Sequence, residues 1–239
     1  SAEDLVRRVK DLVDKLEDKL RKVVRTNERL WEERDHMVLH EYVNAAGITD
    51  ALVEKLKAGD KDKDELIEEA KSLEDESNAL VEKLVRDIER VLAESNKLLD
   101  TLAKEIEEVL EEIVELVERG SGSDKEAREK LEDIKARLKE VLKKLREESK
   151  RIIDELRRLL EEYKRLVKEI RDRIEEVRKR NSEIRVLVEL VRRHNKVLKE
   201  LVEELEKLVR DHNRVVEEVV RELVELLSRA VEVIKEVVK

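Results

Sequence analysis

The chain has 239 residues, 49% charged and 40% hydrophobic, with four Gly and no Pro, Cys or Phe. That is the composition of a coiled coil or helical bundle, and it leaves no disulfide or thiol chemistry. The net charge of -9 is unevenly shared: residues 1 to 119 carry 21 basic and 34 acidic side chains against 33 and 29 beyond them, so the halves stand at -13 and +4.

Unlike halves of this kind suit pairing with each other. No basic patch is interleaved with aromatics, which argues against nucleic acid as a partner. No apolar stretch approaches the length of a bilayer span, and the opening SAEDLVRRVK lacks signal-peptide anatomy. The expectation is a soluble monomer expressed in the cytoplasm, with no membrane partner.

The first predicted helix covers about 2–58. Leu5, Val9, Leu12, Leu16, Leu20 and Val23 recur at three- and four-residue steps, the mark of an amphipathic helix. Its second half changes character: RDHMVLHEYVNAAGIT brings two His, Met, Tyr, Asn and Gly into a run of Glu, Lys, Arg, Leu and Val. Gly59 and Asp60 then mark a turn, Gly59 as a left-handed helix end and Asp60 as the N-cap of the second helix.

That second helix is expected over 61–119, closed by Gly120-Ser-Gly-Ser123, a flexible joiner in which Ser123 and Glu126 have capping-box spacing. The third runs over 124–180 on the stripe Leu131, Ile134, Leu138, Val141 and Leu145, and ends at Asn181, with Ser182 as the next N-cap. The fourth, 183–239, carries Ile184, Leu187, Val191, Leu198 and Leu205. Four helices of about 57 residues, roughly 85 Å each at ~1.5 Å per residue, joined by short turns, predict an all-α fold. The architecture is one elongated antiparallel four-helix bundle over residues 1–239, two helical hairpins joined by the GSGS linker.

Polar residues recur on the apolar stripes. Ser77-Asn78 returns as Ser95-Asn96 and His194-Asn195 as His212-Asn213, each after 18 residues, or five whole turns, on one face. In an up-down-up-down bundle Asn27, Asn96, Ser149 and Asn213 fall at one height and Asn78 and Asn195 near a second. These read as two buried hydrogen-bond layers that fix register, since buried polar groups need partners. Placement at a solvent-facing edge of the stripe is the plainer alternative. Proline-free helices, near-duplicate turns and periodic polar layers together resemble de novo designed helical bundles.

The interruption has a sharper likeness. Arg34, Asp35, His36, Met37, Val38, Leu39, His40, Glu41, Tyr42, Val43, Asn44, Ala45, Ala46, Gly47, Ile48 and Thr49 closely resemble the eleventh and last β-strand of green fluorescent protein, in the form used as a split-reporter tag. The likeness covers 16 of 239 residues. It implies that the segment completes a β-barrel around a chromophore, with Glu41 beside that chromophore. The partner so implied is the green fluorescent barrel lacking its last strand, because no chromophore-forming segment lies in this chain.

The segment is written without linkers, and a helical stripe continues through Leu30, Met37, Val38, Ala45, Ile48 and Leu52. Leu39, Val43, His36 and His40 project away from that stripe. Asn44, 18 residues after Thr26, shares its face and lies near the height of Asn78 and Asn195. As a helix the segment is poor: Val38, Tyr42, Val43, Asn44, Gly47 and Thr49 give up on the order of 3 to 4 kcal/mol relative to Ala. Packing must offset that, which makes the segment a bistable element.

An embedded peptide of this kind resembles designed caged-peptide switches of the LOCKR kind, although those place the peptide in a C-terminal latch and here it is in the first helix. The resemblance implies a switch that hides the strand as helix and releases it to the barrel, with a displacing peptide or helix as a second partner. The alternatives are a static scaffold, or a hairpin-pairing module, that carries the strand as a passive tag.

His194 and His212 could add a pH response, because protonation would place a charge in the layers. Plain polar core residues are the blander reading. His36 and His40, at i and i+4, share a face, but no third ligand or H-E-x-x-H pattern accompanies them, so no metal is expected. Trp31 reads as packing or a spectroscopic handle. No Ser, His and Asp constellation stands out, so no catalytic residue, cofactor or enzyme activity is expected.

Overall fold

A computed structural model of the chain describes residues 2–59, 62–119, 125–179 and 184–238. Within the helices it leaves undescribed the side chains of residues 2, 5, 31, 34, 37, 38, 41, 42, 44, 45, 48, 184 and 238. The expected joiner Gly120 to Ser123 and the expected caps Asp60, Ser123, Asn181 and Ser182 lie outside the described residues.

The fold is an all-α helical bundle of α1 (Ala2–Ala58), α2 (Lys63–Arg119), α3 (Lys125–Lys179) and α4 (Ile184–Val238). The bounds fall within two residues of those expected from periodicity. Gly59 ends α1 with φ of 66°, the left-handed conformation in which a side chain would be strained.

The start of α2 differs from the expectation. Leu66 N–H donates to the carbonyl of Asp62 at 3.1 Å, which makes Asp62 the residue that opens the helix, two positions after Asp60. The run Lys61-Asp62-Lys63-Asp64-Glu65 explains the shift, because Asp62 and Glu65 also have the Asp-x-x-Glu spacing of a helix start.

Contacts divide the chain into two compact units: residues 1–30, 91–151 and 211–239, and residues 31–90 and 152–210. Each unit is built from a segment of every helix. In the first, Val13, Leu20, Leu99, Ile113, Leu131, Leu138, Leu223 and Leu227 are fully buried in one core. In the second, Leu66, Ile67 and Ala70 of α2, Ile170 and Ile174 of α3 and Leu187 of α4 close around Leu52, Val53 and Leu56 of α1. Burial of such side chains stabilises by roughly 1.5 to 3 kcal/mol each.

Neighbouring helices run antiparallel, and the contacts record it. In the first unit Lys19 of α1 meets Glu105 of α2, while Asn27, further along α1, meets Ser95, earlier in α2. In the second, α2 and α3 are joined by Glu89 with Arg157, Glu82 with Lys164, Asp75 with Arg171 and Glu68 with Arg178.

In each of these four pairs α2 supplies the acid and α3 the base. The unequal charge of the two sequence halves is thus expressed at the α2–α3 seam. Lys71 with Glu175 reverses the pattern. Such exposed pairs contribute roughly 0 to 1 kcal/mol apiece, so their consequence is pairing specificity more than stability.

Candidate functional site

Residues 34–49 are α-helix throughout, in the middle of a helix that continues on both sides. Intrinsic propensity works against that state at several positions, since the β-branched Val38, Val43, Ile48 and Thr49 and Gly47 sit in a helix interior, although the apolar stripe keeps its helical period. The flanks are the reason it can persist: Val9, Val13, Leu16 and Leu20 are buried upstream, and Leu52, Val53 and Leu56 downstream.

Within the segment His36, Leu39, His40 and Val43 are exposed, as their helical face requires, with Leu39 at 48% and Val43 at 65%. Gly47 is also exposed, and a Cβ there would meet nothing within 4 Å. Asp35 and Ala46 are half-buried. Burial pushes the Asp35 carboxyl up, against the pull of Arg210 and His36. Thr49, a poor helix former, is fully buried. The side chains of Trp31, Arg34, Met37, Val38, Glu41, Tyr42, Asn44, Ala45 and Ile48 are not among those described, and with them the roles expected of Glu41 and Asn44.

One polar layer lies in the first unit. Asn27 of α1 donates through Nδ2 to Oδ1 of Asn213 on α4 at 3.1 Å, and its own Oδ1 accepts from Ser95 Oγ of α2 at 3.0 Å. Ser149 Oγ of α3 donates to Asn96 Oδ1 at 3.1 Å. All four helices therefore contribute, and Ser95, the partner of Asn96 in its repeat, joins the four residues expected at this height. His212, next to Asn213, is fully buried, which lowers its pKa to about 4.

The second unit is arranged differently from the expected Asn78 and Asn195 layer. Both residues are half-buried and no hydrogen bond joins them: each has a buried side-chain oxygen with no hydrogen-bond partner. His194, next to Asn195, makes a polar contact instead, with Tyr163 of α3. Tyr163 Oη lies 3.4 Å from Nε2 of the buried His194, a long approach suited to a neutral imidazole accepting from the phenol. The rings are tilted at 45° with centroids 6.4 Å apart. Burial lowers His194 to about 4 and raises Tyr163, to which the nearby Glu74 adds.

Glu74 is the group that sequence reasoning missed. It is 2% exposed, and neither carboxylate oxygen has a hydrogen-bond partner. Burial is the main cause of a pKa raised to about 8; Asp75 adds to it and Arg171 opposes it. Arg171 gives little relief because its guanidinium is engaged by Asp75 at 2.5 and 3.4 Å. The missed signal was positional: Ala70, Leu73, Glu74, Ser77 and Val81 share one buried stripe of α2.

What this arrangement can do is hold register and respond to charge. Among the described residues no group of three or more His, Cys, Asp or Glu could hold a metal ion. Among them, too, no helix is long and apolar enough to cross a membrane.

No family model matches the chain, and no curated protein matches it. Among solved structures it is similar to a chain described as a computationally designed three helix bundle, at 21% identity over 99% of this chain and 93% of that one, with a TM-score of 0.34.

Proposed function

We propose that this chain is a designed, non-catalytic switch that cages a strand resembling the last strand of green fluorescent protein and releases it to the barrel lacking that strand. The observation that carries the reading is conformational. Sixteen residues that resemble a β-strand are helix from end to end, with helix on either side.

The helical and barrel-competent forms exclude each other by length. Sixteen residues span about 24 Å as helix and about 53 Å as strand. The added reach of roughly 29 Å is gained only by giving up the helix that runs on from Val13 to Leu20, buried in one core, to Leu52 to Leu56, buried in the other. One end of α1 must leave its partners. The barrel then binds only the released fraction, so its apparent affinity falls by that fraction. A peptide resembling α1 would act as a trigger by competing for the groove of α2, α3 and α4.

The test is the rate at which fluorescence appears when the chain is mixed with the barrel lacking its last strand, beside an equimolar free peptide of residues 34–49. Caging requires a rate far below the peptide's, restored when α2 to α4 are deleted. A rate equal to the peptide's would reduce the segment to a passive tag on a static scaffold.

A further inference from the structure

Of the four His, His194 and His212 are buried and two, His36 and His40, are exposed on one face of α1. The exposed pair lies four positions apart, at i and i+4, on continuous helix. At that spacing the Cβ atoms lie about 5 to 6 Å apart and both imidazoles can reach one cation. In an extended strand the same residues stand about 13 Å apart, four steps of roughly 3.3 Å, beyond the span of a single ion. No other arrangement of the segment that the barrel could accept brings them back together.

We infer that His36 and His40 form a two-point chelate for an imidazole-preferring divalent transition cation, present only while the segment is helical. The expectation from sequence was that no metal binds, because a third ligand is lacking. That objection bears on structural and catalytic zinc sites, which need three or four protein ligands. Two imidazoles with water completing the shell suffice for a surface chelate, and affinity should follow the order Cu²⁺ above Ni²⁺ and Zn²⁺. His36 and His40 are both exposed, on the face that also carries the exposed Leu39 and Val43.

The consequence for release rests on the proposed caging. A ligand that binds the helix and not the strand favours the closed form by a factor of one plus its concentration over its Kd, about 11-fold at ten times Kd. The cation would therefore act as a lock, opposite in sense to a displacing peptide. Because the two outcomes are separable, binding and locking are measured independently.

The probe is NiCl₂ added to the full chain at pH 7.5, with Ni²⁺ binding followed by calorimetry and the urea midpoint followed by circular dichroism. The controls are His36→Asn, His40→Asn and the double variant, all at exposed positions, each compared with its own midpoint in the absence of Ni²⁺. Expected are one site per chain, a midpoint that rises with Ni²⁺, and loss of both effects in either single variant. Absence of binding below about 1 mM, or binding that survives the double variant, overturns the site.

Complementation is then measured with and without Ni²⁺ for the chain and for the free 34–49 peptide, whose own response corrects for any action of the cation on the barrel. Slowing of the chain beyond that of the peptide establishes the lock. Binding and stabilisation without such slowing leave the chelate standing and overturn the lock, whereas a chain that complements as fast as the peptide even without Ni²⁺ overturns the caging on which the lock rests.

Discussion

Asn27 on α1 donates to Asn213 on α4 at 3.1 Å while accepting from Ser95 on α2, so one side chain ties three helices at one height. Hydrophobic stripes tolerate slippage by a turn, because one Leu replaces another. A buried amide does not, since displacement strands its donors and acceptors. This bond therefore sets where α1 sits.

Replacing Asn27 with Ala removes both bonds and leaves Asn213 and Ser95 short of a partner in a site where Asn27 itself is 4% exposed. The expected cost is about 2 kcal/mol, from a buried polar group left unpaired. A urea titration should show the midpoint falling. Under the caging reading the same change raises the open population, so complementation should quicken by roughly 30-fold. A lowered midpoint with unchanged complementation would separate α1 release from the stability of this layer.

Gly47 offers the opposite change. It is exposed in a helix interior, with no atom within 4 Å of where a Cβ would go. Gly47→Ala should stabilise the helical chain by about 0.5 to 1 kcal/mol through reduced backbone entropy. The measurement is the urea midpoint, together with complementation normalised to a free peptide carrying the same substitution. An unchanged midpoint would mean that α1 is not helical at this position in solution.

Leu39 and Val43 test which face of the segment the bundle uses. At 48% and 65% exposure their removal costs the closed form little. Leu39→Glu is expected to move stability by no more than about 0.5 kcal/mol, the usual range for surface changes. Leu20→Ala, at a buried α1 position, should cost about 2 to 5 kcal/mol. Comparable losses at the two positions would mean that the helix is rotated from the arrangement described.

Much of this was legible in the sequence, for reasons that can be named. Helix bounds followed from periodicity and from Gly59, whose positive φ is the conformation a helix end demands. The first polar layer followed from an 18-residue repeat, because five whole turns return a residue to the same face. The second layer did not follow, since height and face place Asn78 and Asn195 near each other but cannot say whether their amides meet. Glu74 was hidden because it is one of 63 acidic residues, nearly all of which belong at the surface of such a bundle. Only its place between Ala70 and Ser77 on a buried stripe distinguishes it.

Glu74 also changes the pH dependence expected from the histidines. Its folded pKa of about 8 stands above the ordinary 4.5, so the folded chain holds a proton that the unfolded chain releases. Stability from this group is complete below pH 4.5 and declines as pH rises to about 8, by on the order of 5 kcal/mol in all. His194 and His212 act in the other direction. Their folded values near 4 lie below the ordinary 6.5, so the unfolded chain takes up two protons that the core refuses. Stability is lost as pH falls from 6.5 towards 4, by about 3 kcal/mol for each ring.

Between pH 4.5 and 6.5 the two histidines outweigh one glutamate, and above 6.5 only the glutamate titrates. Urea midpoints should therefore peak near pH 6.5 and fall on both sides. Glu74→Gln should flatten the alkaline side alone, since an amide of the same shape carries no proton to lose. A midpoint that keeps rising from pH 6.5 to 8 in the unsubstituted chain would mean that Glu74 reaches water in solution, and that the second unit is looser around α2 than its burial implies.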